Sequence, residues 1–295
     1  MKVLLRYRGR SLTEADIVFV RELIAANPQA SRRALSKLLC EAWDWRQANG
    51  ELCDMVCRSL MLLLHRAGHI ELPAPRFKAV NNVVRRRRPP KVDADQTAIS
   101  ARLSEIGPLE IRLVRRTADE PLFNSLIEQH HYLNYVQPVG EQLKYLVRAL
   151  GVDNRPVACM AWSSAPRDMR PRDRFIGWSL EARRANIHLL AYNPRYLIMP
   201  WVRVPHLASH LLGRIARRLS GDWERMYNHP IYYLESFILP DRFRGTCYRA
   251  ANWRFLGLTA GRGNNAPTME QTRPKKEVLG YPLRRDFRAK LMEGV

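Results

Sequence analysis

The sequence predicts a mixed α/β (α+β) protein in which an N-terminal winged helix-turn-helix precedes a core built on a mixed sheet. Three observations predict this class. Amphipathic segments with capping residues fill the N-terminal part of the chain, and two extended runs near its middle form a hairpin pattern. The stretch from Arg195 to Gly263 then alternates extended and helical runs, in the order strand, helix, strand, helix, strand. The rest of the chain is expected to be organised around this stretch.

Residues 1–78 are predicted to form the winged helix-turn-helix. Ser11-Leu12-Thr13-Glu14 has the spacing of a capping box, Ser31 can cap a second helix, and a third helix runs from about Glu51 to Ala67. His69 to Leu72 is β-like, and Pro73-Ala74-Pro75-Arg76 has the turn chemistry of a wing. Such a domain binds DNA or protein, and its recurring cations favour DNA. The candidate DNA contacts are Arg32, Arg33, Lys37, Arg46, Arg58, Arg66 and Arg76.

A basic linker is predicted over residues 79–108. Arg85, Arg86, Arg87 and Arg88 form a charge run that cannot pack, and Pro89-Pro90-Lys91 stiffens it. Two interpretations of the segment are open, a solvated spacer and an arm that lies along DNA phosphates. They do not exclude each other.

The core is predicted over residues 109–295, ending in a polar and basic tail after Gly263. Pro166 to Asp173 is expected to be a basic loop, and Asn193-Pro194 to turn the chain. The expected elements before the turn are a strand at Glu110 to Val114, a helix at Pro121 to Gln129, hairpin strands at Leu143 to Leu150 and Pro156 to Trp162, and a helix at Ser179 to Leu190.

The stretch after Asn193-Pro194 carries the strongest patterns. Tyr196 to Val204 is apolar and extended, and helical spacing follows as far as Leu219. Asp222 and Trp223 are expected to lead into a strand at Ile231 to Leu239, and a last strand is expected at Trp253 to Thr259.

Composition points to nucleic acid as the partner. The chain has 49 Lys and Arg against 28 Asp and Glu, a formal net charge of +21, which is typical of proteins that neutralise phosphates. A membrane partner is not expected, because the sequence lacks an amphipathic basic helix, a lipidation signal and an apolar run long enough to span a bilayer. The absence of a secretory signal predicts a cytoplasmic protein, and five cysteines in apolar stretches suit reduced, buried thiols.

Glu235 is the first candidate for chemistry, because it is a lone acid within an apolar strand. Burial would raise its pKa, which suits a general base or a metal ligand; the alternative is an acid paired with a core arginine. Asp173 and the adjacent His130 and His131 are further candidates for acid–base or metal chemistry. A set containing Glu235 and His131 would hold a divalent ion, Mg²⁺ or Mn²⁺.

Four other patterns have both a chemical and a structural interpretation. His206 and His210 have the i, i+4 spacing of paired metal ligands, but no third acid follows, so a DNA-facing helix is favoured. Tyr248 stands among cations and could attack a phosphodiester, although structural tyrosines are commoner. Asn252 and Arg262 are candidate phosphate contacts. Cys40, Cys53 and Cys57 are interpreted as core thiols rather than zinc ligands.

The order of elements in the core resembles the GNAT acetyltransferase superfamily, with the likeness carried by Tyr196 to Leu212 and Cys247 to Gly257. The resemblance implies an acetyl-CoA site with a glycine-rich loop at a helix start. Here that position reads Pro205-His206-Leu207-Ala208-Ser209-His210, without a glycine. Acetyl-CoA is therefore not expected as a cofactor.

Several longer strings carry a second resemblance: the segment Ser31 to Pro73, HHYLNY at 130–135, Arg172 to Trp178, PWVRVPHLASHLL and GTCYRAANWRFLGLTAGRG. With these strings the chain resembles the uncharacterised domain family typified by DruA of the Druantia anti-phage system. The resemblance implies a role in phage defence or a mobile element, with other proteins of that system as partners.

Three functional hypotheses follow. The first is a DNA-binding and DNA-processing protein, a nuclease or a transposase-like strand-transfer enzyme. The second is a non-catalytic DNA sensor or adaptor. The third is a GNAT-type acyltransferase, which the missing glycines disfavour.

Overall fold

A computed structural model describes residues 3–7, 10–47, 50–75, 88–262 and 271–293. The chain divides into two compact units, Met1–Arg86 with Gly221–Pro230, and Arg87–Ser220 with Ile231–Val295. Helices and a seven-stranded mixed sheet together confirm the predicted α/β class.

Within its described residues up to Pro75, the first unit contains an antiparallel strand pair and three helices around an apolar core. Its elements are β1 (Val3–Tyr7), β2 (Arg10–Thr13), α1 (Glu14–Ala25), α2 (Arg32–Ala42) and α3 (Asp54–Arg66). The three predicted helices are confirmed, and Ser31 caps α2 by accepting a hydrogen bond from the Ala34 amide at 3.2 Å. The capping box at α1 is formed by Thr13 and Asp16 instead of Ser11 and Glu14, because the helix begins later than the sequence pattern suggested. The antiparallel pair β1 and β2 was not predicted.

The predicted wing is not formed as far as the structure describes it. From α3 to Pro75 the chain has no strand, and Arg32 Nε instead donates to the Pro73 carbonyl at 2.7 Å, which ties this segment to α2. Arg76 lies outside the described residues. The winged-helix assignment therefore stays a prediction.

The second unit is built on the sheet. The strands of the second unit are β3 (Ile99–Ser100), β4 (Leu109–Leu113), β5 (Gln142–Ala149), β6 (Arg155–Ser164), β7 (Leu190–Ile198), β8 (Val202–Arg203), β9 (Tyr233–Ile238), β10 (Arg254–Leu258) and β11 (Glu277–Pro282). Its helices are α4 (Glu120–His130), α5 (Arg170–Ile176), α6 (Leu180–Asn186), α7 (Leu207–Tyr227), α8 (Thr246–Ala250) and α9 (Phe287–Met292); the residues of α7 from Gly221 onward belong to the first unit.

The sheet has the strand order β10-β11-β9-β7-β6-β5-β4. From β4 to β10 the predicted elements follow one another in the predicted order, and α5, β8 and β11 are additional to them. Neighbouring strands are antiparallel except β7 and β9, which run parallel. These two strands pair only as far as Tyr192 opposite Glu235. Beyond that pair β7 and β9 are no longer paired with each other, so the sheet splits between these two strands.

Several local predictions were wrong. Asn193-Pro194 does not turn the chain but lies within β7, at a register shift in its pairing with β6; a bulge tolerates proline because it needs no amide donor there. Pro166 to Asp173 is not all loop, since α5 begins at Arg170. Asp222 and Trp223 belong to α7, and the polar tail contributes β11 and α9.

The C-terminal part of the predicted linker lies in the second unit. β3 pairs in parallel with β8, and the Val92 amide donates to Ser125 Oγ at 2.8 Å. Arg155 Nη2 donates to the Asp95 carbonyl at 3.1 Å. Residues 88–108 are thus held to the rest of the second unit by strand pairing and by hydrogen bonds to side chains.

The cysteines are all free, and four of them, Cys40, Cys53, Cys57 and Cys159, are buried. Cys40 Sγ lies 2.7 Å from Cys57 Sγ within the core of the first unit. In the part of the chain described, no helix is both long and apolar enough to cross a bilayer.

Candidate functional site

Glu235 lies on β9 and is paired with an arginine in the core. Arg172 Nη1 donates to its two carboxylate oxygens at 3.2 and 3.3 Å, and both side chains have 0% exposure. Arg172 also donates to the carbonyls of Pro166 at 2.8 Å and Arg167 at 3.0 Å. Burial raises the pKa of Glu235 to about 7, and Arg172 opposes that rise. This geometry corresponds to the structural alternative, an acid paired with a core cation.

Asp173 is the second acid of the same network. It accepts hydrogen bonds from Arg172 Nε at 2.9 Å, Trp178 Nε1 at 3.1 Å, Arg183 Nη1 at 2.9 Å and the Met169 amide at 3.2 Å. Its oxygens are therefore occupied by protein donors. The network fastens α5 to the sheet, and it brings Asp173 and Glu235 together through Arg172.

The adjacent histidines have different surroundings. The ring of His130 meets Trp201 edge-on at 5.2 Å, and its Nε2 is buried without a partner among the described residues. His131 Nδ1 accepts from the Leu133 amide at 3.1 Å. Burial, then Arg195 and Arg242, lower the pKa of His131 to about 4, so the ring is neutral near pH 7.

A metal-binding group is not formed by the predicted candidates. Within the described ranges, no cluster of three or more His, Cys, Asp and Glu side chains could hold an ion, and Glu235 with His131 belongs to none. The metal site therefore stays a prediction without an assembled ligand set.

Tyr248 bridges the two strands where the sheet parts. Its hydroxyl donates to Asn193 Oδ1 at 2.6 Å and accepts from Ser236 Oγ at 3.2 Å, and these two residues directly follow the last β7–β9 pair. Burial raises the pKa of Tyr248 far above its usual range, which disfavours the phenolate that a nucleophile needs. The contacts favour the structural interpretation of this tyrosine.

Some of the predicted DNA contacts in the first unit are exposed, and others are close to acids or partly buried. Arg33 is 70% exposed with Nε 3.8 Å from Asp54, Arg58 Nη2 lies 3.2 Å from the same acid, and Lys37 is exposed. Arg32 is half-buried. Arg85, Arg86 and Arg87 lie outside the described residues, and exposed Arg88 has Nε 3.6 Å from Glu128.

His206 and His210 do not lie on one helix face as predicted, because α7 begins at Leu207. His206 precedes α7 with φ of 63°. His210 lies on the helix and lines a cavity of about 560 Å³, together with Leu103, Ser104, Gly107, Pro108, Leu109 and Arg214. Burial, Arg214 and Arg217 lower the pKa of His210. Asn252 is exposed with φ of 63° after α8, and Arg262 is half-buried.

An aromatic and cationic surface was missed by the sequence analysis. Tyr132, which follows α4, meets Phe243 with ring centroids 5.0 Å apart, and the Arg242 guanidinium lies 4.8 Å from the Tyr132 centroid. Tyr192 and Phe237 form a second ring pair at 4.7 Å. Burial raises the pKa of Tyr192, Arg195 opposes that rise, and Glu235 and Tyr132 add to it. We call Tyr132, Tyr192, Phe237, Arg242 and Phe243 the Tyr132–Phe243 surface. The segment HHYLNY at 130–135 was a partial signal of this surface, but Arg242 and Phe243 are distant from it in sequence.

The family model described as Druantia protein DruA matches residues 64–270, which is more than two thirds of the chain. The chain belongs to the DruA family. This confirms the resemblance drawn from the sequence and gives the DruA-family chain a coarse role in anti-phage defence. No curated protein matches the sequence.

Solved structures similar to this DruA-family chain include acetyltransferases. Spermidine N-acetyltransferase from Vibrio cholerae, in complex with CoA and spermine, has 10% identity and a TM-score of 0.40, covering 61% of this chain and 96% of its own. A putative phosphinothricin N-acetyltransferase has 16% identity and a TM-score of 0.39, covering 60% and 99%. Similarities this distant assign no reaction.

Proposed function

We propose that this DruA-family chain is a DNA-binding component of an anti-phage defence system, acting with other proteins of that system. The observation that carries the proposal is the excess of cations that no acid in the described part of the chain neutralises. Six exposed examples form no ion pair with any described residue: Lys37, Arg66, Arg203, Arg217, Arg242 and Arg244. With a formal net charge of +21, such side chains are suited to phosphate contacts that release counterions.

The contacts of the candidate acids favour the sensor or adaptor over the DNA-processing enzyme. Metal-assisted cleavage or strand transfer needs acids open to an ion or to water, whereas Glu235 and Asp173 are held by Arg172 and Arg183. One observation still supports a reaction, because a pKa of about 7 for Glu235 is suited to a general base. DNA processing by a nuclease or transposase-like mechanism is therefore the second candidate function.

The acyltransferase alternative has the least support. The start of α7 has no glycine that would let a backbone amide approach a pyrophosphate. Tyr248 also bridges β7 and β9 where they part, through Asn193 and Ser236.

Binding of a labelled DNA duplex, measured by fluorescence anisotropy across a salt series, tests the main proposal. The logarithm of affinity should fall linearly with the logarithm of salt concentration, by about 0.9 per phosphate neutralised. The variant Lys37→Gln should bind duplex more weakly and lower that slope by about one, because one phosphate contact is lost. A salt-independent affinity, or no binding at low salt, would overturn the proposal.

Cleavage of supercoiled plasmid with Mg²⁺ or Mn²⁺ separates the two candidates. The sensor or adaptor predicts no nicking by the full chain. Metal-dependent nicking that Glu235→Gln abolishes, while duplex affinity is retained, would instead establish the processing enzyme with Glu235 as base or ligand.

A further inference from the structure

The Tyr132–Phe243 surface presents ring faces that the core does not use fully. Phe243 is 43% exposed, and Tyr132 and Phe237 are half-buried. Most aromatic residues of the second unit, such as Trp162 and Tyr233, are instead buried in the core. Exposed aromatic rings grouped on a folded surface are typical of binding sites.

The aromatic rings are accompanied by positive charge. The Arg242 guanidinium lies 4.8 Å from the Tyr132 centroid and 5.7 Å from that of Phe243, and it forms no ion pair with a described residue. Arg195 and Arg242 lie close enough to add to the lowering that burial causes in the pKa of His131, and to oppose the rise that burial causes in the pKa of Tyr132. Two guanidinium groups therefore converge beside the rings, which favours an anionic ligand with flat groups.

The surface is held in place by the sheet. Arg195 Nε on β7 donates to the Asn134 carbonyl at 2.9 Å, which fixes the turn that carries Tyr132. The amides of Arg242 and Phe243 both donate to the Leu239 carbonyl, at 3.1 and 2.9 Å, which fixes the turn after β9. Rings on fixed turns lose little conformational entropy when a ligand stacks on them.

We infer that the Tyr132–Phe243 surface binds single-stranded DNA, with bases stacking on Tyr132 and Phe243 and phosphates near Arg242. Every base offers a π-face to an aromatic ring, but only an unpaired base can leave its own stack to reach one. Paired bases in a duplex present their edges in the grooves, so a duplex would meet only the cations. This inference rests on the proposed DNA binding and adds the strandedness of the ligand.

The test compares a labelled 15-nucleotide oligo(dT) with a duplex of equal length, using the full chain and fluorescence anisotropy. Phe243→Ala and Tyr132→Ala should each weaken oligo(dT) binding by about five- to a hundredfold, the range found for removing one stacking ring. Both should change duplex affinity less than twofold. Tyr132→Phe should bind like wild type because it keeps the ring, and Phe255→Ala, which removes a 51%-exposed ring on β10, is the matched control.

A 2-aminopurine placed within the oligonucleotide reports stacking directly, since its fluorescence is quenched when it stacks. Quenching by wild type and by Tyr132→Phe, but not by Phe243→Ala, supports the inference. Unchanged oligo(dT) affinity in both alanine variants overturns it, as does an equal loss for the duplex. If Tyr132→Ala fails to fold, Phe243→Ala decides, because that side chain is exposed.

The two proposals fail in different ways. Salt-dependent duplex binding without oligo(dT) binding removes only the single-strand inference. Wild-type protein that binds neither nucleic acid at low salt removes DNA binding as well.

Discussion

Replacing Glu235 by Gln should alter the pH dependence of stability more than stability itself. Burial raises the pKa of this carboxyl from 4.5 to about 7. At about 1.4 kcal/mol per pKa unit, the folded state therefore disfavours the ionised form by about 3 kcal/mol relative to the neutral form. Stability from the neutral carboxyl is fully present below pH 4.5 and is lost as pH rises through about 7.

Gln cannot ionise, and its side-chain oxygen can still accept a hydrogen bond from Arg172. Relative to wild type, Glu235→Gln should thus gain about 2 kcal/mol in unfolding free energy between about pH 5 and 8. Urea unfolding at several pH values measures the difference, and Glu105→Gln, at an exposed glutamate, controls for removing any one carboxylate.

Two outcomes would refute this reasoning. A difference between Glu235→Gln and wild type that does not change with pH would show that the carboxyl is ionised throughout, so Arg172 outweighs desolvation. A loss of about 3–5 kcal/mol at every pH would show that Arg172 requires a charged partner.

Three further substitutions test the packing of the second unit by chemical unfolding. Arg172→Met should cost about 3–5 kcal/mol, because it leaves buried Glu235 without its cation; a loss below about 1 kcal/mol would contradict this. Lys144→Met should cost about 3 kcal/mol, since the 1%-exposed ammonium makes three hydrogen bonds. An unchanged unfolding midpoint would show that those bonds make no net contribution to the free energy of unfolding. Gly280→Ala should cost about 1–3 kcal/mol, because the new Cβ would lie 1.8 Å from the Tyr233 hydroxyl. Gly280→Ala combined with Tyr233→Phe should recover part of that loss, and strictly additive effects would argue against a direct clash.

The sequence predicted those elements whose evidence is local. The capped helices and the hairpin of β5 and β6 carry their own periodicity or turn residues, and their positions were correct to within a few residues. β11 could not be found in this way, because six residues in a basic tail become a strand only through pairing with β9 and β10. Pro194 lies within β7 only because a bulge in the pairing with β6 accommodates it.

The candidate site was predictable to a similar extent. A lone acid in an apolar strand indicated that Glu235 must have a partner or a function. The partner, Arg172, lies 63 residues earlier in a segment expected to be loop, so no local pattern connected the two. The Tyr132–Phe243 surface was missed for the same reason, since the turns after α4 and β9 meet only in the folded unit.

The position of β11 has a consequence for the order in which the protein can be assembled. β10 is made before β11 yet reaches the rest of the sheet only through it, because β11 lies between β10 and β9. While the chain is still being synthesised, β9 therefore has an open edge whose backbone groups lack partners on one side. A ribosome stalled after residue 270, where the family match ends, would present that edge and leave β10 detached. Such a chain would be prone to associate with other unfinished chains until the last strand arrived.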